Sequence, residues 1–129
     1  MPPGSPNAVA ASGAGRLIQN ELMSEESIVV LSTFPDTETA RRVARALIEE
    51  KLAACVNILP PIESIYRWEG AIESATETLI LIKSTTWKYQ LLEAKILELH
   101  PYEVPEIISL RADSGHVKYL RWIEQSLNQ

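Results

Sequence analysis

The sequence predicts an α+β fold, a ferredoxin-like antiparallel sheet with a C-terminal helix. The first observation is the order of elements after residue 26, because β-branched runs and amphipathic segments alternate as β-α-β-β-α-β. The second is topological, since right-handed crossovers fold that order into a four-stranded antiparallel sheet with two helices on one face. The third is the run LILI at 79–82, which is apolar on both sides of its strand and requires cover on both faces.

The first strand and helix open the periodic part of the chain. The run SIVVLSTF (27–34) is short, apolar and β-branched, as expected of a buried strand. Asp36 follows and is a suitable helix N-cap. Apolar residues then recur with helical spacing from Ala40 to Ile48, which predicts an amphipathic helix to about Lys51.

A long hairpin follows the first helix. A strand is predicted over 53–59, and Pro60 and Pro61 interrupt it because neither has an N–H donor for pairing. The segment IESIYRW (62–68) resumes an extended alternation, the pair EG makes a turn, and residues 71–84 return as a strand. The two arms are therefore expected to pair with each other.

The rest of the chain predicts a helix, a connector, a strand and a final helix. The helix covers about 86–99, and the dipeptide HP ends it because a residue before proline is pushed out of the helical region. The segment HPYEVPE (100–106) is expected to be a stiff, non-helical connector, since its two prolines fix φ. The segment EIISLRA (106–112) is the fourth strand, and the last helix is expected within 115–127.

The composition indicates one acidic domain behind a tail. The stretch MPPGSPNAVAASGAG (1–15) is rich in Pro, Gly and Ser and almost without large apolar side chains, and the first 26 residues are expected to be disordered. Met23 resembles a natural start, which would make the preceding stretch an expression remnant or the product of an upstream start. Residues 27–129 are enough for a single domain.

Charge and cysteine usage narrow the class of protein. The net charge is −5 and the 12 basic residues are scattered, whereas a nucleic-acid-binding protein needs a basic stripe. No window approaches the roughly 18 apolar residues of a membrane span. The one cysteine excludes an intramolecular disulfide and suits a reducing cytosol, so a cytoplasmic location is expected.

The hairpin predicts more than one subunit. Each arm would extend roughly 46 Å at about 3.3 Å per residue, whereas a compact domain of this size is roughly 34 Å across. Tyr66 and Trp68 lie at its tip, and exposed aromatic side chains on a sheet edge usually contact a partner. We therefore expect a homo-oligomer in which the hairpin reaches a neighbouring copy.

Several motifs together resemble the CutA divalent-cation tolerance family. They are KLAACVNILPPIESIYRWEGAI, LILIKS, HPYEVPEI and YLRWI, and the resemblance covers about 28–127 in order. It implies a ferredoxin-like subunit in a tight homotrimer whose hairpins pair between neighbours. It also implies tolerance of copper and other divalent metals, with metal binding but no established reaction, so the chain is not expected to be an enzyme and no organic cofactor is expected.

The resemblance is incomplete at the metal ligands. Some bacterial relatives carry a cysteine where this chain has Ser32 and a second histidine where it has Leu99, so His100 alone is kept from that ligand set. The resemblance therefore implies that Cu²⁺ or another divalent cation is bound, although this chain keeps only one residue of the relatives' ligand set.

Three residues are candidate metal ligands: His100, Glu103 and Cys55. His100 could instead be a helix-terminal residue that complements the helix dipole. Cys55 could instead be a small buried apolar residue, and nothing basic adjoins it in the sequence to favour a thiolate. One cysteine and two histidines cannot build a closed four-ligand site, so carboxylates, water or another subunit would have to contribute.

A second set of residues is expected to converge in a cleft between subunits. Lys83 is expected either to reach solvent or to form a buried salt bridge with Glu103 or Glu106, and His116 is expected to be solvent-exposed. For Tyr66 and Trp68, packing in the interface is favoured over a ligand-binding role. The set comprises Tyr66, Trp68, Lys83, Tyr102 and Glu106.

Three functions from different classes remain open. The first is a trimeric metal-binding or metal-response protein without catalysis. The second is a small-ligand sensor like the trimeric PII signalling proteins, although the sequence has no glycine-rich phosphate cradle. The third is a structural scaffold that presents a surface to partners. No nucleophile–base pair or metal triad has useful spacing, which disfavours an enzyme.

Overall fold

A computed structural model describes residues 26–128 of the chain, and its elements follow the predicted order. The mixed α+β class and the antiparallel sheet are confirmed. The strands are β1 (Ser27–Phe34), β2 (Cys55–Ile58), β3 (Ile62–Trp68), β4 (Ala71–Thr85) and β5 (Ile107–Arg111). The helices are α1 (Thr37–Glu49), α2 (Tyr89–Leu99) and α3 (Val117–Leu127).

The sheet has the strand order β2-β4-β1-β5, and β3 pairs with β4 beyond the end of β2. All the ladders are antiparallel. Strand β4 is central, because its inner half pairs with β1 on one side and β2 on the other. Its outer half pairs with β3 alone. The strand therefore belongs to two parts of the molecule, a body and a projecting hairpin.

The core of the body lies between one face of the sheet and helices α1 and α2. Asp36 starts α1 as predicted, because its carboxylate accepts a 2.7 Å hydrogen bond from the Thr39 N–H. The side chains at the centre of the core are almost wholly inaccessible to solvent. They come from β1 and β4 and from helices α1 and α2: Val30, Ile80, Ile82, Val43, Leu47, Leu92 and Ile96.

Helix α3 covers part of the second face of the sheet. Lys83 is the strand neighbour of Ile82, so its side chain points to the opposite face, and its Nζ lies 6.0 Å from the centroid of the Tyr119 ring in α3. Leu79 and Leu81 on this face are only half-buried within one chain. Helix α3 therefore provides the expected cover for the second face of the sheet over only part of its area.

The hairpin arm, defined here as residues 62–77, projects from the body. Its turn consists of Glu69 and Gly70, with φ values of 49° and 83°. Positive φ at both central residues is typical of the type I′ turn, whose twist matches that of the two strands. Large apolar side chains on the arm are exposed, including Ile65 at 69% and Ile72 at 72%. Within the described part of one chain, nothing buries this surface.

The boundaries differ from prediction in ways that have local causes. Strand β2 is shorter than the predicted 53–59, because Leu52 and Ala53 still hydrogen-bond to the Leu47 carbonyl at the end of α1. The predicted helix 86–99 begins with a 3₁₀ turn over Thr86–Lys88 and becomes α-helical at Tyr89. The tail expected to be disordered lies outside the described residues, except for Glu26. No helix within 26–128 has the length and apolarity needed to cross a membrane.

Candidate functional site

A pocket of about 910 Å³ lies where the hairpin arm leaves the body. One wall is the arm, and the other is the connector between α2 and β5. The pocket is open to solvent and falls within the size range of small-molecule sites, about 300 to 1,000 Å³. We call it the acidic pocket because its charged lining residues are Glu73, Glu77, Glu103 and Glu106.

The register of the hairpin builds the first wall. Because the turn has two residues, Trp68 pairs with Ala71 and Tyr66 pairs directly with Glu73. Alternate residues of a strand share a face, so Tyr66 and Trp68 stand on the same face as Glu73 and Glu77. Two aromatic rings and two carboxylates are thereby presented to one side of the arm.

The proline-bounded connector builds the second wall. Its two prolines, Pro101 and Pro105, both line the pocket, and each fixes its own φ near −65°. The Tyr102 hydroxyl donates a 2.8 Å hydrogen bond to Oε2 of Glu77, which ties the connector to the arm. Burial, followed by this contact with Glu77, raises the pKa of the Tyr102 phenol, so it stays protonated and remains the donor.

Three of the pocket carboxylates have no cationic partner. Glu73, Glu103 and Glu106 are exposed, and no lysine, arginine or histidine within 26–128 forms an ion pair with them. Glu77 is engaged by Tyr102. No basic residue of the described chain lines the pocket. The pocket is therefore a concave region of negative potential that attracts cations and repels anions.

His100 lies beside the pocket but is turned into the body. Its ring stacks on Phe34 at a centroid distance of 4.4 Å and is only 8% exposed. Nε2 lies 2.8 Å from the Thr33 carbonyl oxygen, which can only accept, so this nitrogen carries the proton. Nδ1 accepts a 3.1 Å hydrogen bond from the Tyr102 N–H. Burial lowers the pKa of His100, against the smaller opposing effects of Thr33 and Glu77.

Within one chain, the predicted ligands Glu103 and Cys55 therefore do not come together around His100. Both of its ring nitrogens are used by the backbone, so neither has a lone pair available to a metal without breaking a buried hydrogen bond. Glu103 faces the acidic pocket, whereas Cys55 lies on β2 opposite Lys83. No three His, Cys, Asp or Glu side chains among the described residues are grouped closely enough to hold a metal ion.

Cys55 and Lys83 have different surroundings from those expected. Cys55 is half-buried rather than fully buried, and its cross-strand neighbour is basic although no sequence neighbour is. Lys83 donates a hydrogen bond to Oδ1 of Asn57 and lies near the Tyr119 ring. Within the described part of one chain it forms no ion pair with Glu103 or Glu106, and its place in a cleft between subunits stays a prediction.

The family positions Ser32 and Leu99 also belong to the body. Ser32 is wholly buried, and its hydroxyl oxygen has no hydrogen-bond partner in the described chain. Leu99 packs against the hydrophobic core. His116 is exposed, as predicted, and precedes α3.

Four of the five residues predicted for a cleft between subunits line this pocket of one chain, and the cleft itself stays a prediction. They are Tyr66, Trp68, Tyr102 and Glu106, with Glu103 from the predicted metal set beside them. Sequence reasoning missed Glu73 and Glu77. The two-residue turn was a usable signal, because it fixes the register and places residues 73 and 77 on the same face as Tyr66.

Comparison with known proteins identifies the family. The family model described as CutA1 divalent ion tolerance protein matches residues 28–126. The chain belongs to this family. The divalent-cation tolerance protein CutA of Thermus thermophilus is 48% identical over 98 residues, which cover 76% of this chain and 95% of that protein. Protein CutA of Homo sapiens is 37% identical over 124 residues, 96% of this chain and 66% of that longer protein.

Solved CutA1 structures have the same fold. The structure of the divalent cation tolerance protein from Thermus thermophilus gives a TM-score of 0.76 at 47% identity, covering 78% of this chain and 97% of that one. CutA1 from Oryza sativa gives 0.77 at 44% identity, covering 80% and 94%. One curated rice relative is named chloroplastic, and the Archaeoglobus fulgidus structure is described as periplasmic. A cytoplasmic location for this CutA1 chain stays a prediction.

Proposed function

We propose that this CutA1 chain is a non-catalytic, cation-responsive protein that takes up divalent cations at its acidic pocket. The observation that carries the proposal is the charge of that pocket, in which every charged lining residue is a carboxylate. Membership of a divalent ion tolerance family supports a cationic ligand. A nucleotide or another anion is disfavoured, because four carboxylates repel it.

The chemistry of the donors favours hydrated, oxygen-preferring ions over copper. Carboxylates suit hard cations such as Mg²⁺, Mn²⁺ and Ca²⁺, which often keep part of their water shell. The carboxylates are spread over two walls rather than gathered around one point, which fits an ion held partly through water. Copper would need the imidazole of His100, and that ring is committed to the backbone.

The proposal includes a homotrimer. Exposed apolar side chains lie on the arm and on β5, an edge strand of the sheet, where Ile108 and Leu110 are 49% and 51% exposed. An unpaired strand edge and a contiguous apolar patch are features that proteins normally cover. A neighbouring subunit would cover them and would add a further wall to the pocket.

Isothermal titration with Mn²⁺ tests the site. The double variant Glu103→Gln/Glu106→Gln should weaken binding by about tenfold, because it removes two partly hydrated charge contacts. The matched control is Glu49→Gln/Glu63→Gln, which changes the net charge equally at exposed positions outside the pocket. We expect the control to change affinity by less than about twofold.

His100→Ala separates this site from the copper site implied by the relatives. If cations bind in the pocket, Mn²⁺ and Cu²⁺ titrations of His100→Ala should match those of the parent protein. The proposal would be contradicted if His100→Ala lost Cu²⁺ binding while the double variant Glu103→Gln/Glu106→Gln kept it. That result would place the cation site at His100.

A further inference from the structure

We propose that the acidic pocket also binds a small organic diamine or polyamine, an alkyl chain that carries at least two ammonium groups. This goes beyond the uptake of divalent cations, and it does not depend on metal binding. It follows from the presence of both aromatic rings and carboxylates on facing walls of one cavity. A metal-binding role accounts for the carboxylates but not for the rings.

The aromatic rings are the first part of the argument. Tyr66 and Trp68 project from the arm and Tyr102 from the connector, and all three line the cavity. Within one chain Trp68 is 46% exposed and Tyr66 is 41% exposed, and both stand on the pocket face of the arm, opposite to the face that bears Ile65 and Ile72. A hydrated metal ion gains little from an aromatic face, whereas an alkylammonium ion is attracted to the ring and also buries its methylene groups against it.

The distribution of charge is the second part. Glu73 lies on the arm, and Glu103 and Glu106 lie on the connector, so unpaired carboxylates stand on both walls. A ligand with one positive charge can satisfy one wall only. A chain with an ammonium group at each end can pair with both, which favours a diamine over a monoamine.

The apolar lining is the third part. Pro101, Val104 and Pro105 line the connector side, and Ala75, on the same face of the arm as Glu73, lines the arm side. These side chains supply no hydrogen bonds, but they can cover the methylene groups between two charges. A cavity of about 910 Å³ accommodates a small molecule of this kind.

Calorimetric titration of the full-length protein with 1,4-diaminobutane and with spermidine tests the proposal. Both amines should bind, 1-aminobutane should bind about tenfold more weakly than the diamine, and 1,4-butanediol should give no heat of binding. Trp68→Leu should weaken diamine binding by about fivefold through loss of the ring contact. Absence of binding by either amine to the parent protein would overturn the proposal.

Two control variants distinguish a pocket contact from a general effect. Trp87→Leu removes another exposed tryptophan, 61% accessible and outside this cavity, and should leave diamine affinity within about twofold. Glu73→Gln tests the arm wall without removing a ring and should weaken diamine binding by about threefold. Equal effects of Trp68→Leu and Trp87→Leu would contradict a binding role for Trp68.

A parallel Mn²⁺ titration keeps the two proposals apart. Trp68→Leu should weaken Mn²⁺ binding by less than it weakens diamine binding, because a hydrated ion is held by the carboxylates and not by the ring. Diamine binding without Mn²⁺ binding would refute the divalent-cation function and leave the amine site standing. Mn²⁺ binding without diamine binding would refute the amine site and leave the divalent-cation function standing.

Discussion

The two halves of β4 form parts of the molecule that differ in what surrounds them. In the inner half, Ile80 and Ile82 are completely buried between the sheet and the helices. In the outer half, Ile72 is 72% exposed although it belongs to the same unbroken strand. The difference shows that regular backbone pairing does not require a local core. The inner half stabilises the chain itself, whereas the outer half carries the pocket and the exposed apolar surface that we propose a neighbouring subunit covers.

The largest expected effect is in the inner half. Ile82→Ala leaves a cavity beneath α1 and α2, and truncation of a fully buried isoleucine typically costs about 2 to 5 kcal/mol. Chemical denaturation should record this loss in the free energy of unfolding. A loss below about 0.5 kcal/mol, the range of ordinary surface substitutions, would contradict the placement of Ile82 in the core.

The second effect is in the outer half. Ile72→Asp places a charge on the surface that we assign to the subunit interface, and an unpaired charge in an apolar contact is costly. Sedimentation velocity over a dilution series should show the dissociation constant rising by about tenfold or more. Leu91→Asp is the matched control, because Leu91 is 61% exposed on α2. Equal dissociation of the two variants would argue against an interface on the arm.

A smaller effect is expected where the two parts are joined. Tyr102→Phe removes the hydroxyl that donates to Glu77 and keeps the ring, so the connector loses one partly buried hydrogen bond to the arm. The expected cost is about 1 kcal/mol. Urea denaturation should detect it, and an unchanged midpoint would mean that this bond does not hold the connector against the arm.

The smallest effect is a pH dependence at the same junction. Burial lowers the folded-state pKa of His100 below its usual 6.5, so the unfolded chain binds the proton first as pH falls. His100 should therefore reduce stability progressively as pH drops below about 6.5 towards its folded-state pKa. The unfolding temperature, plotted against pH between 7.5 and 5.5, should fall less steeply in His100→Gln than in the parent protein. The control is His116→Gln, which replaces an exposed histidine that lies outside this junction.

Local sequence signals predicted most of the fold. The strand 27–34 was predicted with the bounds that it has, because a short β-branched run ends at Pro35 and the Asp36 cap. The interruption at Pro60 and Pro61 was predicted for the same kind of reason, since neither residue can donate to a ladder. Such signals depend only on neighbours along the chain.

The site was predicted less well because its contacts join distant residues. His100 could be recognised as the end of a helix, but its commitment to the Thr33 carbonyl involves a partner 67 residues away. Lys83 could not be assigned to Asn57 without the register between β2 and β4. Tyr66 and Trp68 do line a pocket of one chain, where a hairpin tip meets a stiff connector, whereas their predicted place in a cleft between subunits stays a prediction.

The most direct test of the account is the native mass of the protein. The account holds that copies of this chain cover the arm, so light scattering at micromolar concentration should report about three times the 14.4 kDa of one chain. A single species at 14.4 kDa would leave the apolar surface of the arm uncovered in solution and would contradict the account.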